Sequence, residues 1–163
     1  MKIRDMRESD WPDVYQLIED NMFEMQRALG LKWHRDNIIR YFKNRSILVA
    51  TDRNKFSGFI AFHQIDDYHF IDSLQVAKED QNGLVGFRLL KASLLRVATS
   101  PEIQKICCCV FDNNTAAKQM YFSVGFTELS RSDGILKIEI PVSHLTERFG
   151  LQRAIKEVHN LIQ

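Results

Sequence analysis

Two stretches of this sequence carry residues whose types and spacing can do chemistry. The first reads Leu74-Gln75-Val76, then Ala77-Lys78-Glu79-Asp80, then Gln81-Asn82-Gly83-Leu84-Val85-Gly86-Phe87. An apolar run that turns through a glycine-bearing corner into a helix leaves backbone N–H groups without intrahelical acceptors. With the helix dipole behind them, such groups suit phosphate oxygens, and glycine lets a ligand approach the backbone closely. Taken alone, that corner is common and usually structural. The second stretch runs from Asn114 through Ala117 and Tyr121 to Gly125 and Phe126. Asn114 or Thr115 can cap a helix there, and Tyr121 offers a phenol, ordinarily of pKa ~10, able to protonate a leaving group. Without its flanking residues, Tyr121 reads first as a core tyrosine on an amphipathic helix.

The elements that must position these residues follow from periodicity. Residues 2–6 read as an opening strand. Ser9 or Asp10 can cap a helix with Pro12 in its first turn, in which Val14, Ile18, Met22, Met25 and Leu29 share a face up to Gly30. A second short helix is expected over residues 35–42. Strands follow at 47–51, 57–64 and 69–76, the first two joined by a turn at Asp52, Asn54 and Lys55. Phe87, Leu90, Leu94 and Val97 mark the next helix, residues 103–111 a central strand, and residues after Asn114 a helix stopped by Gly125. Two closing strands, 126–131 and 135–140, flank Ser132-Asp133-Gly134. The order predicts a mixed α/β domain over residues 1–141. Residues 142–163, with Leu145, Phe149, Ala154, Ile155, Val158 and Ile162 in a stripe, read as a helical extension packed on the domain or at a dimer interface.

Composition narrows the class. The chain has 163 residues, 45% of them apolar, within the range of one domain. Its 22 basic and 21 acidic residues argue against a nucleic-acid binder. No apolar run is long enough to span a membrane and the N-terminus lacks a signal-peptide core, so the expected compartment is the cytoplasm. Cys107, Cys108 and Cys109 are consecutive, which suits neither a disulfide framework nor a zinc site. They read as small apolar residues of a buried strand, Cys107 and Cys109 on one face and Cys108 on the other. No metal is expected.

Together the two stretches resemble the GCN5-related N-acetyltransferase (GNAT) superfamily. Its motif Asn-x-x-Ala-x-x-x-Tyr-x-x-x-Gly-Phe is met by Asn114, Ala117, Tyr121, Gly125 and Phe126. Its motif Leu-x-Val followed by Gln/Arg-x-x-Gly-x-Gly/Ala is met by Leu74, Val76, Gln81 and Gly86. The chain departs at Leu84, where the family usually has a glycine; Gly83 stands one position earlier. Were a positive φ required there, leucine would be strained by ~1–2 kcal/mol.

The resemblance, which covers roughly residues 1–140, implies a mixed, mostly antiparallel central sheet with splayed middle strands and flanking helices. It also implies acetyl transfer from acetyl-CoA to a primary amine, on a small molecule or a peptide, by direct attack in a ternary complex. The pantetheine arm would lie along Leu74, Gln75 and Val76. The pyrophosphate would meet N–H groups of Gln81, Asn82, Gly83, Leu84, Val85, Gly86 and Phe87. Asn114 and Ala117 would adjoin the arm, and Tyr121 would protonate the departing thiolate. A backbone N–H near Val76 is the candidate oxyanion donor. Candidate bases are Asp72, taken to share a strand face with Leu74, and His69, His63, Asp67 and Glu24, or water. Residues 22–42 would wall the acceptor pocket. The assembly would be a monomer or homodimer. A degenerate acyl-CoA sensor and a non-catalytic interaction module are the alternatives.

Overall fold

The structure is a computed structural model that describes residues 1–81, 84–97, 100 and 102–151. Asn82 and Gly83, and the tail positions Ala154, Ile155, Val158 and Ile162, lie outside the described residues. Contacts cluster into two compact units, Met1–His63 with Asp72–Ala92, and Gln64–Ile71 with the chain from Ser93 onward.

In the first unit β1 (Lys2–Asp5), β2 (Ser46–Asp52) and β3 (Lys55–Ile65) pair antiparallel. Leu48, Val49, Ala50, Phe59, Ile60 and Ala61 are almost wholly buried. That is the mark of central strands covered on both faces, and it explains their continuous apolar runs. Arg53 and Asn54 take positive φ between the paired residues Asp52 and Lys55, the backbone of a two-residue hairpin turn. Helix α1 (Trp11–Ala28) and helix α2 (Arg35–Phe42) add Val14, Leu17, Ile18 and Phe42 to a core with Ile47, Val49, Phe59 and Ala61. Asp10 does not cap α1 with its side chain. Its carboxylate receives both Arg4 nitrogens, at 2.7 and 2.9 Å, and the Arg7 N–H at 2.7 Å.

Strand β4 (Tyr68–Val76) follows, and α3 (Val85–Val97) after it. Leu89, Leu90, Ser93 and Leu94 form the buried face of α3, a column or so round from the expected line through Phe87 and Val97.

In the second unit the start of β4 pairs parallel with β5 (Lys105–Phe111), from Tyr68↔Lys105 to Ile71↔Cys108. The ladder ends there, although β4 runs on to Val76 and β5 to Phe111. Helix α4 (Thr115–Ser123) then leads into β6 (Thr127–Ser132) and β7 (Ile135–Pro141), which pair antiparallel, with β7 also antiparallel to β5. Among the described residues the strands form one seven-stranded sheet in the order β1-β2-β3-β4-β5-β7-β6, a mixed and mostly antiparallel α/β fold. Helix α5 (Val142–Arg148) buries Leu145, and Leu151 is buried just beyond it.

Candidate active site

Each unit holds one of the two stretches. In the first, the corner after β4 is closed by Gln81, whose Nε2 donates to the Val76 carbonyl at 3.1 Å. Asn21 Nδ2, on α1, donates to the same carbonyl at 3.1 Å and to Gln75 Oε1 at 3.0 Å. Val76 C=O is thereby engaged by two donors, and α1 clamps the end of β4. Among the described residues Asn21 Oδ1 is buried without a donor, an uncommon state for a buried polar atom.

Beyond the corner, the Gln81 N–H turns back to Lys78 O at 3.4 Å. Arg88 N–H bonds to Leu84 O at 2.9 Å. Val85, Gly86 and Phe87 come ahead of that bond, where a helix leaves its N–H groups without i−4 acceptors. The Leu84 side chain points out, at 63% exposure. Gly86 is informative in another way. Its φ is not positive, and a Cβ built there would meet only the Val76 Cγ2 atom, at 3.7 Å. Nothing nearby in the protein demands glycine, which fits a backbone kept bare for a ligand.

Strand β4 does not alternate regularly. Asp72 faces α2, where it receives the Tyr41 hydroxyl at 2.6 Å, and Gln75 faces Asn21 of α1. Val76 turns instead to Gly86 of α3. Residues three apart cannot share a face of a regular strand, so the alternation slips between Asp72 and Gln75. Asp72 therefore does not share a face with Val76, as a regular strand would require, and Leu74 lies within the slipped stretch. Gly58 of β3 lies under this irregular stretch, and a Cβ on it would come within 2.5 Å of the Gln75 carbonyl oxygen.

The remaining candidate bases separate clearly. Glu24 is exposed and paired with Arg27 at 2.7 Å. His69 is fully buried, its Nε2 3.4 Å from Ser93 Oγ. Asp67 lies in the β3–β4 turn, where its carbonyl receives the Gln104 N–H. His63 Nδ1 stands 2.7 Å from Asp72 Oδ2. Tyr41 and Arg45, which also hold Asp72, escape a sequence reading; their four-residue spacing at a helix end is the one signal that joins them. A groove of about 330 Å³ in this unit is lined by Asp13, Gln16, Asp20 and Asn21 of α1 with Lys55 and Glu79.

In the second unit Asn114 caps α4, its Oδ1 accepting the Ala117 N–H at 3.1 Å. Tyr121 is 4% exposed and stacks edge-on against Phe126 at 5.0 Å. Burial above all, with Cys108 as its hydrogen-bonding neighbour, holds its phenol well above the ordinary range. It stays protonated and donates. Burial likewise pushes the Cys107 thiol up to about 11, and Cys108 and Cys109 upward as well, which leaves all three un-ionised at neutral pH. Among the described residues no cluster of His, Cys, Asp or Glu could hold a metal ion, and no helix is long and apolar enough to cross a membrane.

Known structures share this fold. One is a ribosomal-protein-S18-alanine N-acetyltransferase from Escherichia coli, 17% identical over 86% of this chain and 93% of that one, with a TM-score of 0.69. Another is the PaiA N-acetyltransferase from Thermoplasma acidophilum in complex with coenzyme A, 16% identical over 86% and 98%, with a TM-score of 0.70. A third is smu.2055 from Streptococcus mutans, 21% identical over 87% and 99%, with a TM-score of 0.71. No curated protein matches the chain in sequence. The description "Acetyltransferase (GNAT) family" matches residues 3–126, most of the chain, and with that match the protein belongs to the GNAT acetyltransferase family.

Proposed function

We propose that the protein transfers an acetyl group from acetyl-CoA to a primary amine, on a small molecule or a peptide, by direct attack in a ternary complex. The observation that carries this is Gly86, a glycine required by no neighbouring protein atom at the first turn of α3. Family membership and the coenzyme A seen in the Thermoplasma neighbour support the same donor. Bound there, acetyl-CoA supplies an acyl group already activated as a thioester.

The rest is the work of this chain's residues. N–H groups from Gln81, Asn82, Gly83, Leu84, Val85, Gly86 and Phe87 are the proposed pyrophosphate contacts. Gln81 would first give up its long bond to Lys78. Leu74, Gln75 and Val76 are the proposed backbone partners of the pantetheine arm, in the manner of an added strand. Since Val76 C=O already has two donors, the arm is met there by N–H. Asn114 and Ala117 flank the arm in this reading. Tyr121, kept protonated, offers its O–H to the departing sulfur, and its present sulfur partner, Cys108, would release it for that step.

Thiol release with acetyl-CoA against a panel of amines tests the proposal, and amine-dependent release is expected. Tyr121→Phe should lower turnover by about 100-fold or more while acetyl-CoA still binds. Binding without turnover on any amine would favour an acyl-CoA sensor, and absence of any binding heat an interaction module.

A further inference from the structure

We propose that His63 is the general base that takes the proton from the acceptor amine, with Asp72 orienting its ring and Tyr41 and Arg45 fixing Asp72. This rests on the transferase reading above.

The Asp72 carboxyl is wholly buried, at 0% exposure, yet three groups converge on it. The Tyr41 hydroxyl lies 2.6 Å and Arg45 Nε 3.1 Å from Oδ1, and His63 Nδ1 lies 2.7 Å from Oδ2. Arginine only donates. The Tyr41 phenol is held protonated, because burial and then its bond to Asp72 raise it above the ordinary range. Asp72 accepts from Tyr41 and Arg45 at Oδ1, as a carboxylate does, and its Oδ2 faces His63 Nδ1. A carboxylate at Oδ2 requires the hydrogen to sit on His63 Nδ1, and the lone pair of the neutral ring is then on Nε2. That tautomer is the one a base needs. It is fixed by a buried carboxylate that also balances the charge of the imidazolium once formed.

Exposure and position agree. The His63 side chain is 23% exposed and that of Asp72 0%, so solvent reaches the histidine and not the acid. Asp72 directly follows Ile71, the last β4 residue in the ladder with β5. With the pyrophosphate at the corner after Val76, an arm running back along Val76, Gln75 and Leu74 brings its acyl end toward Asp72 and His63. Glu24 is exposed beside Arg27, and His69 is fully buried beside Ser93, out of reach of an acceptor amine. Asp72 from β4 meets His63, and Tyr41 and Arg45, from α2 and the turn after it, hold Asp72 from its other side.

The balance of the step is simple. Nε2 takes one proton from the ammonium, and the freed lone pair forms the C–N bond as the C–S bond breaks. A second nitrogen proton ends on the departing sulfur. The imidazolium returns its proton to water, so one proton is released for each acetyl group moved.

Initial rates of thiol release, measured against pH with the best amine of the panel, test this on the full chain. His63→Gln should lower kcat/KM by about 100- to 10,000-fold, abolish the acid limb of the profile and leave the acetyl-CoA Kd unchanged. Added imidazole should restore part of the rate to His63→Ala. Asp72→Asn should keep the limb but displace it and lower kcat, as a positioning residue would. If His63→Gln keeps the wild-type rate and limb, the base assignment falls and the transferase reading stands. If the wild-type chain releases no thiol with any amine, both fall.

Discussion

A methyl group at Gly86 would make one ordinary contact, 3.7 Å from Val76 Cγ2. Alanine also favours a helix over glycine by ~0.5–1 kcal/mol. Gly86→Ala should therefore raise the melting temperature of the free protein while weakening acetyl-CoA binding by about tenfold, or ~1.4 kcal/mol. Calorimetry reads the second effect; unchanged affinity would mean that no ligand comes close there. The cysteines make a second residue-scale case. Cys107 and Cys108 are buried and Cys109 exposed, and burial raises all three thiols. Since the thiolate is the nucleophile, a raised pKa delays reaction to alkaline pH. Iodoacetamide should label Cys109 first, slowly at pH ~7 and roughly tenfold faster per pH unit above it until the thiol ionises. Rapid labelling near neutrality, followed by mass spectrometry, would contradict that.

Among the elements, β4 is the most consequential. Alanine at position 58 would press its Cβ to 2.5 Å from the Gln75 carbonyl oxygen and 3.2 Å from Val76 Cα, both backbone atoms. Gly58→Ala should cost about 1–3 kcal/mol in urea unfolding and weaken acetyl-CoA binding by displacing β4. Wild-type stability in this variant would exclude the close approach. Much of the surrounding frame is legible from sequence, because local chemistry specifies it. Helix α2 spans the expected residues, Asn114 caps α4 as its type and place suggest, and Asp133 and Gly134 take the positive φ of a hairpin turn. The slip in β4 is not legible, since residues 72–76 read as an ordinary strand and only packing against α1, α2 and Gly58 reveals the change of face. Asp10 misleads for a related reason: an acid before a helix reads as a cap, but Arg4 and the Arg7 N–H lie closer to hand.

On the scale of the whole molecule, Asp10 links the opening strand to stability. Its hydrogen bond to Arg4 holds the carboxyl below its ordinary value, against the opposing effect of burial. A depressed folded-state pKa contributes stability above the unfolded value of ~4, and that contribution is lost as pH falls through the folded value. Asp10→Asn should lower stability by about 1–2 kcal/mol near neutrality and flatten the loss of melting temperature below pH ~5. An unchanged acid limb would place the sensitivity elsewhere. Because β4 changes face midway, it acts as two instruments on one piece of backbone. Side chains at 72 and 75 address α2 and α1, while Val76 addresses α3. Under the proposed function, substitutions on one side could accumulate without disturbing the other, so the acceptor could change while the grip on the acyl carrier is kept.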